Sequence, residues 1–204
     1  MNDRARGHSS ATLSEAAGMP VALPPELRPA WAGARLCGPA FTVRGNGGDN
    51  LALHHAVPLA PAGSVLVAAL GGARRGHWGE VLTVAAQHRG LAGLLIDGGV
   101  RDAGRLEELG FPVFSRNNSI LGTRKDYRGV FGRPVVIGGL TIRTGDLIVG
   151  DVDGVVALPT PHVEQILDRA DVRAAHETEL MTQLRQGRTT LDLYDFGPPG
   201  RRGR

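Results

Sequence analysis

Lysine is almost missing from this chain: of 23 basic residues, 22 are arginine and only Lys125 is lysine. An enzyme that activates a carbonyl as a Schiff base needs a lysine amine. Only Lys125, in the polar stretch TRKDYRG, could serve, so carbonyl chemistry here points instead to a metal ion or to arginine. Cysteine is as scarce. Cys37 is alone, which excludes an intrachain disulfide and a multi-cysteine zinc site. Aromatics amount to 4%, too few to build stacking platforms for single strands. No apolar run has the length to cross a bilayer and no signal-peptide pattern opens the chain. A cytoplasmic protein with neither nucleic acid nor membrane as partner is expected.

Charge in the body is also lacking. The formal net charge of +3 belongs to the ends, where Arg4 and Arg6 face Asp3 and where Arg201, Arg202 and Arg204 cluster. The remainder holds 18 basic and 19 acidic residues. Residues 1–9 read as a flexible lead and 191–204 as a tail, mobile except where LDLYDF docks. The whole chain, 204 residues at 42% apolar content, suits one domain with a sizeable core. Residues 45–48 lack a following GK[ST], and 71–79 lack GxGxxG, so nucleotide binding has little support.

What is present is an alternation. Ser10 or Thr12 caps a short helix, broken at Pro20 and Pro24. Residues 34–44 read as a strand whose Pro39 implies an edge or a bulge. Asp49 is placed to cap a helix over 50–57, and SVLVAAL (64–70) is a buried strand. Residues 71–102, GGARRGHWGEVLTVAAQHRGLAGLLIDGGVRD, organise the rest. A glycine-rich loop precedes a helix over 77–89, in which Val81, Leu82, Val84 and Ala85 recur at helical spacing. A buried strand over 91–96 follows, then a second glycine turn at Asp97, Gly98 and Gly99. The two loops converge on an edge carrying Glu80, Asp97, Arg101 and Asp102. A short helix (103–109), a strand (112–115) and a long loop (116–129) come next. From Pro134 the pattern becomes a β-meander with a hairpin at Gly138 and Gly139. A helix entered through Thr160 and Pro161 reaches about Arg185. The class is α/β with mixed sheets.

Taken singly, these polar residues have structural explanations. Asp102 is placed to cap the helix at Ala103, and Glu80 is a first-turn acid favoured by the helix dipole. Asp97, Asp146, Asp151 and Asp153 are turn residues. His54 and His55 point to different sides of a helix and make a poor metal pair, with His54 expected in packing. His77 and His176 are expected to be solvated.

In order and spacing, the motifs SSATLSEA (9–16), LCGPAFTV (36–43), GDNLALH (48–54), GHWGEVLTVAA (76–86), IDGGVRD (96–102), PVFSR (112–116) and GGLTIRTGDLIVGDVDGVVALP (138–159) resemble one family. It comprises the class II 4-hydroxy-4-methyl-2-oxoglutarate (HMG/CHA) aldolases and the RraA-like (regulator of ribonuclease activity A) proteins, and the similarity covers about residues 10–190. The resemblance implies an α/β/β/α sandwich, swivelling-domain-like, assembled as trimers or hexamers with active sites between subunits. It also implies a divalent ion, Mg2+ or Mn2+. By motif, Asp102 corresponds to the metal ligand and Arg101 to a substrate contact. The backbone amides of Gly79, Glu80, Val81 and Leu82 correspond to the substrate-carboxylate site. Glu80 matches an acid that holds metal-bound water or assists proton transfer, and Glu177 matches, more loosely, a glutamate supplied by a neighbouring subunit. Two departures are Glu15, where the family carries aspartate, and the paired arginines Arg74 and Arg75.

The expected activity is that of a lyase: cleavage of a 4-hydroxy-2-oxo acid to pyruvate and a second carbonyl compound, with oxaloacetate decarboxylation on the side. A hard cation chelated by carboxylate and keto oxygens stabilises the developing enolate. Two other readings stay open: a non-catalytic regulator that binds a ribonuclease, and a pathway-specialised lyase whose Arg74 and Arg75 loop accepts a different acid.

Overall fold

The structure, a computed structural model, describes residues 2–196; the arginine cluster at 201–204 lies outside them. In chain order the elements are α1 (Asn2–Arg6), α2 (Ser10–Ala17), β1 (Arg28–Pro29), β2 (Leu36–Arg44), α3 (Leu51–Leu59) and β3 (Val65–Trp78). They continue with α4 (Glu80–His88), β4 (Gly93–Val100), α5 (Ala103–Glu108), β5 (Val113–Asn118) and β6 (Val130–Phe131). The last are β7 (Val135–Ile137), β8 (Leu140–Ile142), β9 (Leu147–Gly150), β10 (Val155–Leu158), α6 (Val163–Arg185) and α7 (Thr190–Tyr194).

Eight strands form one sheet in the order β1-β5-β4-β3-β2-β9-β10, with β6 on β2, while β7 and β8 form a separate hairpin. Strands β2 to β5 run parallel, and β9, β10, β1 and β6 pair antiparallel with their neighbours. The continuous apolar runs of β3 and β4 are buried throughout 65–68 and 93–100, as parallel strands covered on both faces require. On one face α3, α4 and α5 bury Leu53, Leu82 and Leu106 against Leu66, Leu94 and Ile96. The other face, with Val67, Leu95 and Phe114, packs on Val135, Ile137, Ile142 and Ile148. Outside β9 and β10, α1, α2 and α6 cover Val149, Val156 and Leu158 with Leu13, Ile166 and Leu167. The architecture is the expected α/β/β/α sandwich.

The sheet is nearly closed, and residues 21–29 close it. Leu23 N–H donates to Val155 O and Ala157 N–H to Val21 O, both at 2.9 Å, on the β10 edge. Five residues on, Arg28 and Pro29 pair with Ser115 and Phe114 of β5. One segment thus satisfies both outer strands, whose bare edges would invite pairing with other chains.

Several local expectations change. Pro39 lies at neither an edge nor a bulge. Residues 36–39 pair with β9 and residues 40–44 with β3, so its missing N–H falls where the strand changes partners. The meander is split, since β7 and β8 leave the main sheet. The N-terminal residues expected as a flexible lead form α1, with Ala5 fully buried. The guanidinium of Arg4 pairs with Asp168, Asp171 and Glu164 of α6. In the C-terminal stretch, α7 is capped by a Thr189–Asp192 box, but Leu191, Tyr194 and Phe196 remain exposed.

Candidate active site

The candidate site lies where β3 and β4 end. Both run further than the sequence pattern indicates: residues 71–78, expected as loop and first helical turn, belong to β3, and Asp97, Gly98 and Gly99 belong to β4. The glycines show why. From Ala69 to Trp78, β3 pairs with only Asp97 to Val100 of β4, through successive register shifts. Gly71 and Gly72, at φ +66 and +73, supply the left-handed backbone for this excursion. Beyond it the ladder resumes, and Arg101 N–H donates to Trp78 O at 2.8 Å. Trp78 is buried, stacks on Phe111 with ring centroids 6.2 Å apart, and donates its indole N–H to Thr83 Oγ1 at 2.7 Å. This contact sets α4 directly after the strand.

The amino terminus of α4 therefore faces Arg101 and Asp102. Asp102 has φ 58, ψ 34, a left-handed conformation that a non-glycine residue adopts at a cost of about 1–2 kcal/mol. As expected, its backbone starts α5: Asp102 O accepts from Arg105 N–H at 2.8 Å. Its side chain does not cap that helix. Instead the carboxylate turns back to α4 and accepts from Glu80 N–H at 3.2 Å, with Arg101 Nε 3.6 Å away. Gly79 makes this possible. A Cβ there would collide with the Asp102 carboxylate and lie 3.0 Å from Arg101 Cγ. The Asp102 side chain is 39% exposed, leaving carboxylate lone pairs free.

A cavity of about 300 Å³ opens beside these groups, lined by Gly79, Val81, Leu82 and Arg101 together with Asn50, His54, Thr123 and Lys125. Among the described residues, Arg101 and Lys125 are its only formally charged lining groups, and no carboxylate lines it. Because Glu80 N–H is engaged with Asp102, the amides of Val81 and Leu82 are the first-turn donors without an intrahelical partner. Val81 and Val84, expected on the packed face of α4, are 75% and 50% exposed. His54 is held below its ordinary pKa by burial and by Lys125 and His55.

Glu80, Arg101 and Asp102 thus come together, with Gly79, Val81 and Leu82. The Glu80 carboxylate turns to Arg105, accepting from Nε at 3.0 Å and a terminal nitrogen at 2.8 Å. Asp97 does not join them. It is buried in β4 and paired with Arg116, beside a different cavity that Arg74 also lines. Glu177 sits on α6, in the opposite helical layer, in an ion pair with Arg173 at 2.9 Å; Arg173 also pairs with Glu15. Among the described residues, no group of three or more His, Cys, Asp or Glu side chains is arranged to hold a metal.

Two residues near the cavity escaped the sequence reading. His77, expected in solvent, is fully buried. Its Nε2 accepts from Gly48 N–H at 3.1 Å and its Nδ1 lies 3.3 Å from Gly99 O, so the ring is neutral with its proton on Nδ1. Burial lowers its pKa, outweighing the Gly99 and Arg75 carbonyls. Asn50 donates to His77 O at 3.0 Å, and its own buried Oδ1 has no partner among the described residues. Gly76 and Trp78 on either side of His77 are buried too, so no alternation in the sequence marked the histidine as an inward-facing residue.

Fold and site together define a class: an α/β/β/α sandwich in which a helix amino terminus and an arginine line a pocket and a left-handed aspartate stands beside them. Within that class the chain belongs to the RraA-like family, described as Aldolase/RraA, which matches residues 10–157. It is 38% identical over 144 residues to a Halalkalibacterium halodurans protein named "Putative 4-hydroxy-4-methyl-2-oxoglutarate aldolase", covering 70% of this chain and 69% of that one. Among solved structures it is similar to an uncharacterized protein from Pseudomonas syringae pv. tomato, with TM-score 0.84 and 30% identity over 92% of this chain and 89% of that one. It is also similar to Streptomyces coelicolor RraAS2, described as an unusual member of the RNase ES inhibitor RraA protein family. There the TM-score is 0.74 and the identity 26%, covering 92% and 96% of the two chains.

Proposed function

We propose that the protein is a divalent-metal-dependent lyase that cleaves a 4-hydroxy-2-oxo acid to pyruvate and a second carbonyl compound, and that it also decarboxylates oxaloacetate. The observation that carries this reading is the conformation of Asp102. A left-handed, half-exposed aspartate, held by one amide beside an arginine and a helix amino terminus, is a costly arrangement of the kind that persists at functional sites. Its hard oxygen donors suit Mg2+ or Mn2+, and magnesium takes one or two carboxylates and keeps several waters. That habit agrees with a single aspartate and no larger ligand cluster. When bound, such an ion would act as a Lewis acid towards the keto group and the negative charge developing on it.

The chain's own residues would do the rest. Arg101 presents a planar fork of donors to an oxyanion. The amides of Val81 and Leu82, at the positive end of α4, would bind the acid's carboxylate. Glu80, oriented by Arg105, would hold a water and take up the proton of the 4-hydroxyl through it. Leu82 and Trp78 shield the back of the pocket from bulk water. Glu177 belongs to a neighbouring subunit's site in this reading, with a trimer or hexamer as the working assembly.

The test is pyruvate release from oxaloacetate and from 4-hydroxy-4-methyl-2-oxoglutarate, with Mg2+ and with chelator. Mg2+-dependent release that Asp102→Asn abolishes is the expected result. No release from folded wild type would sink the lyase reading. The likeness to an RNase-inhibitor family member favours a second reading, a protein-binding regulator, for which capture of a ribonuclease without turnover of any 2-oxo acid is the expected result.

A further inference from the structure

Asp49 is a carboxylate that the proposed chemistry does not use, yet it is buried, 3% exposed, a few residues from the cavity. Among the described residues it makes no ion pair within 4 Å, and its partners are backbone amides. Asp49 Oδ1 accepts from Leu51 N–H at 2.9 Å, which ties it to the start of α3. Oδ2 reaches across 77 positions of sequence to accept from Asp126 N–H at 2.5 Å and Tyr127 N–H at 3.3 Å. Two backbone bonds reinforce the clasp: Asn50 N–H donates to Arg124 O at 3.0 Å, and Arg124 N–H to Gly48 O at 2.9 Å. Lys125 lies between the two clamped residues, so its backbone is fixed on both sides while its side chain is exposed. Thr123 and Lys125 line the same cavity as Gly79 and Arg101.

We infer that Asp49 is a positioning residue: its carboxylate fastens residues 122–127 to the start of α3 and thereby sets the wall that carries Thr123 and Lys125 against the bound acid. The inference rests on the lyase reading, because that reading makes the cavity a substrate pocket. The chemistry suits the task. An ionised carboxylate can accept from three amides at once, whereas a neutral side chain of that size cannot, and bonds to a charged acceptor are the stronger kind. Burial alone would raise the Asp49 pKa, but the amides of Asp126, Leu51 and Tyr127, with the charge of Arg124, outweigh it and keep the group below its ordinary range. The clasp is therefore closed across the neutral pH range. Without it, residues 122–127 keep the two backbone bonds of Arg124 and the Arg75 guanidinium on Gly122 O at 2.8 Å, and the sole lysine loses the tie on its C-terminal side. Stretch 116–129 reads as a long polar loop, yet a clamped wall is what its backbone bonding describes.

The experiment compares wild type, Asp49→Asn and Asp49→Ala by steady-state kinetics on 4-hydroxy-4-methyl-2-oxoglutarate with Mg2+, and by amide hydrogen exchange. Asp49→Ala, which removes all three accepted bonds, is expected to raise KM about tenfold, equivalent to about 1.4 kcal/mol of binding, with kcat within about twofold. Asp49→Asn, which keeps one acceptor oxygen, should fall between. Exchange should accelerate at residues 122–127 and stay unchanged in β4. Unchanged KM with unchanged exchange would overturn the inference. So would faster exchange throughout the molecule with kcat and kcat/KM falling together, which is the mark of a merely structural residue. If wild type turns over no such acid, the lyase reading falls. The clasp is then judged by exchange alone: acceleration confined to 122–127 upholds it, and none refutes it.

Discussion

At the scale of single residues, the site is a set of conformational concessions around one carboxylate. Asp102 pays for a left-handed backbone, and Gly79 gives up its side chain so that the carboxylate can reach α4. Asn tolerates the left-handed region and can still accept from Glu80 N–H. Asp102→Asn should therefore keep its melting temperature within a few degrees of wild type while losing Mg2+-dependent turnover. Gly79→Ala should do the reverse in part: its Cβ forces Asp102 and Arg101 aside, at about 1–3 kcal/mol, read as a lower denaturant midpoint together with weaker Mg2+ activation. His77 gives a pH signature. Its folded pKa lies below the unfolded value of about 6.5, so protons favour the unfolded chain. Its contribution is whole above pH ~6.5 and declines as pH falls towards the folded pKa. His54, shifted the same way, adds in the same sense. Melting temperatures from pH 8 to 5 should fall on the acid side, less steeply in His77→Gln; a flat wild-type profile would contradict the assignment.

Elements show where sequence and structure part. The alternation of strands and helices through residue 115 was legible because buried parallel strands are uniformly apolar and their helices keep a 3.6-residue period. The Arg101–Asp102 pair after a glycine run was legible too, as was Asp49 at the entrance to α3, although Asn50 takes the N-cap position and Asp49 reaches Leu51 N–H from one residue before it. Three things were not. The length of β3 was hidden because GGARRG breaks every strand pattern, although its glycines mark an excursion rather than an end. Pro39 signals an edge in any strand with one partner on each side, and no local signal announces a strand that changes partners. His77 and Asn50 are buried by long-range packing, which periodicity does not report. Asp151 shows how far one turn residue can reach: it accepts from Ser10 N–H at 2.7 Å, Ser10 Oγ–H at 2.6 Å and Asp153 N–H at 3.0 Å. It therefore ties α2 to the β9–β10 turn. Asp151→Ala strands these donors at a buried position and should cost about 2–3 kcal/mol, measurable by urea denaturation.

For the whole molecule, the decisive device is the segment over residues 21–29, which seals both sides of the sheet. Leu27, at its centre, is fully buried in the inter-sheet core. Leu27→Ala should cost about 2–5 kcal/mol, and by loosening the seal it should also raise light scattering on heating, beyond what a helix-facing substitution such as Leu106→Ala produces. A change in stability without extra scattering would mean that the edges are protected some other way. The seal also sets an order of events during synthesis. Residues 21–23 leave the ribosome long before their partners on β10, which emerge more than 130 residues later. Residues 28–29 can close the β5 flank once residues 114–115 emerge, but the segment's other half waits for β10, and at ordinary translation rates of about 5–20 residues per second that wait lasts on the order of ten seconds. The chain's greatest exposure to chaperones and to its neighbours on a polysome is thus fixed by where it keeps the strand that finishes it.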